Sequence, residues 1–127
     1  MQGSVVSEVI PPRKVVVVIP TFNEAGNIEA VIAGVIAALP DASILVVDDN
    51  SPDGTADLVE SYAEQIPKTF VGFVQVHRRQ TKAGLGAAYR DGFARALDMG
   101  ATICVQMDAD LSHHPMYLPA IVSVVDM

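Results

Sequence analysis

The chain has 127 residues, half of them apolar and 18% charged, with a formal net charge of -7 at neutral pH. That size and composition fit one globular domain and exclude a disordered or repeat protein. The acidic balance, with a pI near 4.6, argues against a nucleic-acid partner, because phosphate backbones are held by clustered Lys and Arg.

Residues 1–13 carry neither a basic n-region nor a continuous apolar run. They read as a flexible N-terminal tail, with 14–127 as the domain itself. Residues 14–20 (KVVVVIP) form an unbroken apolar run too short for a helix, as expected of a central strand buried on both faces. Ile28, Val31, Ile32, Val35, Ile36 and Leu39 then mark one helical stripe, with Asn23 as its N-cap and Pro40 as its stop. A second strand over 43–47 ends in an acidic turn, 48–55 (DDNSPDGT), and Leu58, Val59, Tyr62 and Ile66 mark a second amphipathic helix.

Residues 70–76 read as a third strand, followed by a basic loop over 78–86 (RRQTKAGLG). Leu85, Ala88, Tyr89, Phe93, Ala96 and Leu97 give a third helical stripe closed by Gly100. A fourth strand follows over 102–107. The lone cysteine, Cys104, sits in this run and reads as a small buried apolar residue of a reducing compartment. Another helix is expected from Pro115 or Pro119 onward. Short β-branched runs alternating with helices predict an α/β fold, a mostly parallel sheet with helices on its faces. Four strands with an unfinished last unit leave an apolar face and a sheet edge to be covered, which suggests a truncated chain or a partner.

In open α/β sheets ligands bind beyond the carboxyl ends of the strands, where the strand order reverses. The first strand ends in PTFNE, the second in Asp48-Asp49 and the fourth in Asp108-Ala109-Asp110, so five carboxylates are expected on one rim. Such crowding calls for a counter-charge. If the backbone is extended, Asp108 and Asp110 point the same way and can share one ion, and oxygen-only ligands suggest Mg2+ or Mn2+. The loop with Arg78, Arg79 and Lys82 precedes a helix and is a second place for an anion. His113 and His114 lack a zinc spacing and receive no role.

Competing α/β folds place their motifs elsewhere. A dinucleotide-binding fold needs its glycine fingerprint after the first strand, whereas Gly84-Leu85-Gly86 follows the third and lacks the last glycine. Phosphatases and receiver domains that use paired aspartates place them after the first strand, which here carries Asn23-Glu24.

Together the segments 18–24 (VIPTFNE), 46–55 (VVDDNSPDGT), 82–89 (KAGLGAAY) and 107–115 (MDADLSHHP) resemble the dolichyl-phosphate (polyprenyl-phosphate) mannosyltransferases, inverting enzymes of glycosyltransferase family 2. The resemblance runs from about residue 15 to 119. It implies a GT-A Rossmann-like fold and transfer of mannose from GDP-mannose to a dolichyl or polyprenyl phosphate. A UDP-sugar transferase of the same fold, or a non-catalytic nucleotide-sugar-binding fragment, is the alternative. By the same resemblance Pro20, Phe22, Glu24, Val47 and Asp49 line the nucleotide pocket, and Asp108, Ala109 and Asp110 meet the sugar diphosphate. Asp108 and Asp110 are, by that resemblance, the catalytic and metal-binding residues. Phe22 stands where a Tyr is common, and Ser112 where some members carry a Gln. The family continues past residue 127 with acceptor-binding and membrane-facing elements, so attachment to the cytoplasmic face of a membrane is expected through that region or a partner subunit.

Overall fold

The computed structural model describes residues 14–80 and 84–109. The tail at 1–13, the helix expected from Pro115 or Pro119, Lys82, Asp110, Ser112 and the two histidines at 113 and 114 lie outside these residues. Among the described residues four strands form one parallel sheet in the order β3-β2-β1-β4. They are β1 (Val15–Thr21), β2 (Ser43–Asp48), β3 (Val74–Arg78) and β4 (Ile103–Gln106). The chain runs outward from β1 through β2 to β3 and then returns to the other side of β1. The strand order therefore reverses between β1 and β4, which puts the ligand crevice of such a sheet beyond their carboxyl ends.

Successive strand residues face opposite sides of a sheet, and here both sides are buried. Val17, Ile19, Ile44, Val46 and Val105 face one layer, packed by Ile28, Val31, Ile32 and Val35 of α1 (Ile28–Ala38) and Val59 of α2 (Thr55–Gln65). Val16, Val18, Leu45 and Val47 face the other, packed by Ala88 and Ala96 of α3 (Leu85–Asp98). Burial of each large side chain contributes about 1.5–3 kcal/mol, which makes β1 and β2 the rigid centre.

The helix boundaries depart from expectation for local reasons. Asn23 is not the cap of α1: it adopts a left-handed conformation at φ 58°, and the helix starts after Asn27. A turn intervenes, with the Glu24 carbonyl accepting from the N–H groups of Asn27 and Ile28 at 3.0 and 2.9 Å. At its other end α1 stops at Leu39, whose N–H still reaches the Val35 carbonyl at 2.8 Å, before Pro40.

Two further expectations are corrected. β3 begins at Val74, not at Phe70, because Phe73 is used to join the sheet: its N–H donates to Ser43 Oγ at 3.0 Å and its carbonyl accepts from Ile44 N at 2.8 Å. Pairing then carries β3 through His77 and into the basic segment at Arg78. Of the stripe expected on α3, Ala88 and Ala96 are buried together with Gly92, and Tyr89 and Phe93 pack half-buried on the same layer, whereas Leu85 and Leu97 are exposed. Residues four apart align along a helix, and small ones there let α3 lie close on β1 and β2.

Candidate functional site

A cleft of about 250 Å³ opens at the reversal of strand order. Its wall is built by Pro20, Thr21, Phe22 and Glu24 after β1, Asp49 after β2, Asp108 after β4, and Gly84, Leu85 and Ala88 at the start of α3. A larger cleft of about 560 Å³ lies at the opposite ends of the strands, between the C-terminal ends of α1 and α2. Among the described residues, Asp41 is the one charged side chain on its wall. The smaller cleft is where acidic, aromatic and helix N-terminal groups converge.

The adjacent aspartates at the end of β2 have different fates, because side chains alternate along an extended chain. Asp48 is 2% exposed and is consumed inside the fold. Its Oδ1 accepts from Thr21 Oγ1 and Ser51 Oγ, both at 2.6 Å, and its Oδ2 accepts from Ser51 N at 2.9 Å. Asp49 is nearly as buried but lines the cleft. The expected five-carboxylate rim thus becomes Glu24, Asp49 and Asp108 on the cleft, with Asp48 structural and Asp110 beyond the described residues.

The acidic turn acts as a clip. Ser51 Oγ accepts from Asn23 N at 2.9 Å, Thr55 Oγ1 from Glu24 N at 3.0 Å and Asp53 Oδ2 from Ala25 N at 3.0 Å. Asp53 Oδ1 accepts from both the N–H and the hydroxyl of Thr55. Gly54, at φ 86°, supplies the left-handed residue that lets the chain enter α2. These bonds hold the 21–25 turn, and with it Phe22 and Glu24, against the cleft.

The hydroxyl of Thr55, followed by backbone N–H groups, lowers the Asp53 pKa below its ordinary 3.8. A carboxyl with a depressed folded-state pKa contributes stability that is present above its unfolded value and is lost as the pH falls through the folded one. Asp53→Ala is therefore expected to lower the melting temperature modestly at neutral pH, with the gap to the parent closing as the pH drops below 3.8. A gap that stays constant from neutral to acid pH contradicts this origin.

The basic segment is engaged internally. Arg78 Nη2 bonds Asp57 and Glu60 of α2 at 2.7 and 2.6 Å on the surface. Arg79 turns the other way and is 14% exposed; its Nε lies 3.2 Å from Asp49 Oδ1 and 3.9 Å from Asp91 Oδ2. Asp91 also meets His77 Nε2 at 2.9 Å. The Arg79–Asp49 contact is coulombic and not an aligned hydrogen bond: Asp49 Oδ1 and Arg79 Nη1 are both buried without a hydrogen-bond partner among the described residues. Two of the three cations expected to face an anion are thus already paired, and nothing in the sequence pattern distinguishes Arg79 from Arg78.

Asp108 is half-buried on the cleft, and its Oδ1 accepts from the Tyr89 hydroxyl at 2.8 Å. Phe22 is 36% exposed at the cleft wall. Two expected pocket residues are placed elsewhere. Val47 is fully buried in the layer under α3, and Ala109, 4% exposed, belongs to the layer under α1. Val47 lies two residues before Asp49 and so on the same side of the chain, but within β2 its side chain is covered by Ala88 and Ala96 of α3 and does not reach the wall. Cys104 is half-buried, and burial pushes its thiol pKa up.

The family model described as glycosyl transferase family 2 matches residues 16–126, a span that carries the cleft and, but for Val15, every described helix and strand. The chain belongs to glycosyl transferase family 2. This family 2 chain is 44% identical over 116 residues to a polyprenol monophosphomannose synthase of Mycolicibacterium smegmatis, covering 91% of the chain and 42% of that protein. It is 41% identical over 112 residues to an undecaprenyl-phosphate mannosyltransferase of Micrococcus luteus, covering 88% and 44%. The family 2 chain therefore spans less than half the length of these relatives. Among solved structures it resembles the mannosyltransferase PcManGT from Pyrobaculum calidifontis in complex with GDP-Man and Mn2+. The TM-score is 0.65 at 29% identity, over 79% of this chain and 28% of that one. The α/β arrangement is thus that of the GT-A glycosyltransferases, as the motifs implied.

Proposed function

We propose that the chain is the donor-binding part of a mannosyltransferase that moves mannose from GDP-mannose to a polyprenyl phosphate of the dolichyl type, with inversion. The observation that carries this reading is the convergence of Phe22, Asp49 and Asp108 with the N-terminus of α3 on one cleft at the strand-order reversal. Relatives named for polyprenyl-phosphate mannose transfer, and a structural neighbour holding GDP-Man and Mn2+, support the choice of donor and acceptor.

In this reading the aromatic face of Phe22 stacks on the base. The buried carboxylate of Asp49 accepts from the N1–H and 2-amino groups of guanine, where uracil offers one such donor. The backbone N–H groups that open α3 face the diphosphate, where the helix dipole favours negative charge.

The residues fit a divalent cation in kind. Asp108 offers hard carboxylate oxygens on the cleft and its carboxylate is already oriented by Tyr89. No group of three His, Cys, Asp or Glu side chains that could hold a metal occurs among the described residues. Asp108 would thus act with Asp110 and the diphosphate oxygens. A bound Mg2+ or Mn2+ supplies Lewis-acid neutralisation of the departing diphosphate. The acceptor phosphate, an anion at neutral pH because its second pKa is about 6, needs no strong base. Its oxygen bonds to the anomeric carbon as the bond to GDP breaks on the opposite face.

No helix of the described residues is long and apolar enough to cross a membrane. In this reading the protein works at the cytoplasmic face, held by segments or subunits outside the described part.

Calorimetric titration with GDP, GDP-mannose and UDP, with and without Mn2+, tests the donor site. One extra hydrogen bond from guanine predicts a preference for GDP over UDP on the order of tenfold. Asp110→Asn is expected to remove the metal dependence and abolish transfer in the full-length enzyme while leaving the fold intact. Equal or tighter binding of UDP would move the assignment to a UDP-sugar transferase.

A further inference from the structure

Tyr89 belongs to a segment whose family resemblance assigns it no role, yet its hydroxyl donates to Asp108. It is the fifth residue of α3, next to Ala88 on the cleft wall, and its phenol oxygen lies 2.8 Å from Asp108 Oδ1. A hydroxyl donating to a carboxylate is a charge-assisted bond, stronger than a neutral one and directional. Through it a helix on one face of the sheet sets the rotamer of a carboxylate just past the end of β4.

The donor itself is held rigidly. The ring of Tyr89 stacks on that of Phe93, with centroids 5.8 Å apart and planes at 27°. Both rings pack against the core layer of Val16, Val18, Leu45 and Val47. One turn further on, Gly92 sits so close to the sheet that an added Cβ would lie 2.5 Å from Val18 Cγ1, so the backbone of α3 lies directly on β1 and β2. The phenol oxygen is thereby fixed relative to β1 and β2 and not merely to its own helix.

We propose that Tyr89 is a positioning residue for the Asp108 carboxylate, holding it in the orientation in which it engages the divalent cation of the bound nucleotide diphosphate. The inference rests on the donor-site reading above and adds to it the residue that tunes metal affinity. Partners that hydrogen-bond a metal-ligating carboxylate fix its orientation and basicity, and their loss typically costs about 10–100-fold in metal affinity.

Tyr89→Phe removes the hydroxyl and keeps the ring, its stacking and its burial. Mn2+ binding to the 127-residue chain in the presence of GDP, followed by calorimetry and by the electron paramagnetic resonance of free Mn2+, is expected to weaken about 10–100-fold in the variant. GDP affinity without metal and the urea midpoint are expected to stay close to those of the parent. A purely structural hydroxyl would instead lower the urea midpoint and weaken metal-free GDP binding, and that pattern overturns the proposal. Equal Mn2+ affinity in parent and variant overturns it too while leaving the donor site standing. Failure of the parent to take up Mn2+ with GDP overturns the donor-site reading itself, and this inference with it.

Discussion

Substitution of Arg79 by methionine is expected to destabilise the chain by about 3–5 kcal/mol, the cost of leaving one member of a buried ion pair without its partner. Asp49 is 5% exposed and Arg79 Nε lies 3.2 Å from its Oδ1. Once the guanidinium is gone, no other described cation meets Asp49 in an ion pair. Asp91 is less affected, being 42% exposed and still in contact with His77. The pair is a weak source of net stability, because each ion loses its hydration when buried. Its presence therefore points to placement of the Asp49 carboxylate at the cleft.

Urea denaturation measures the loss, and the double variant Asp49→Asn, Arg79→Met tells its origin. With neither charge present, most of the lost stability should return, since both desolvation costs vanish together. On the proposed role of Asp49 in reading guanine, GDP binding should stay weak in the double variant, because Asp49→Asn replaces a carboxylate acceptor by an amide. A loss under about 1 kcal/mol would mean that water reaches the pair and screens it as on a surface.

Gly92→Ala is also expected to destabilise, although two opposing contributions decide its sign. Within a helix, alanine is favoured over glycine by up to about 1 kcal/mol through propensity. Against this, the new Cβ would sit 2.5 Å from Val18 Cγ1 and 2.9 Å from Val47 Cγ2. Both valines are fully buried in the two central strands and, being β-branched, have little rotamer freedom to withdraw. Overpacking of a filled core costs about 1–3 kcal/mol, so the net change is destabilising.

The helix must lift to relieve the contact, and it carries Ala88 on the cleft wall and the Tyr89 hydroxyl at Asp108. Weaker GDP and Mn2+ binding should therefore accompany the lower urea midpoint. Gly86→Ala is the control on the same helix. Among the described residues its Cβ meets only Arg90 Nη1, at 3.4 Å, the end of a flexible exposed side chain. That substitution should stabilise by a few tenths of a kcal/mol up to about 1 kcal/mol. Equal effects of the two substitutions would show that α3 does not press on the sheet.

The order of the elements and the two faces of the sheet are written in the residue pattern alone. The runs at 14–20 and 43–47 are apolar at every position but their polar ends and too short for helices, as expected of strands buried in a parallel sheet. Polar residues begin where these runs stop, so the ligand-facing rim is legible without any knowledge of the fold. The motifs at 18–24 and 107–115 put Pro20, Phe22, Glu24 and Asp108 there, and each lies on the cleft.

Which of two neighbouring polar residues serves the cleft is settled only by the folded molecule. Asp48 and Asp49 are the same residue type and differ only in the side of an extended chain from which they emerge. One meets Thr21 and Ser51, the other Arg79. The same alternation sends Arg78 to α2 and Arg79 to Asp49, and draws Val47 beneath α3. Periodicity records how a residue faces its own element, a local property set by backbone geometry. The partner that it meets there comes from a segment far along the chain, as Tyr89 does for Asp108 and Ser43 for Phe73. Only the packing of α3 on the sheet and the β3-β2-β1-β4 order bring those segments together.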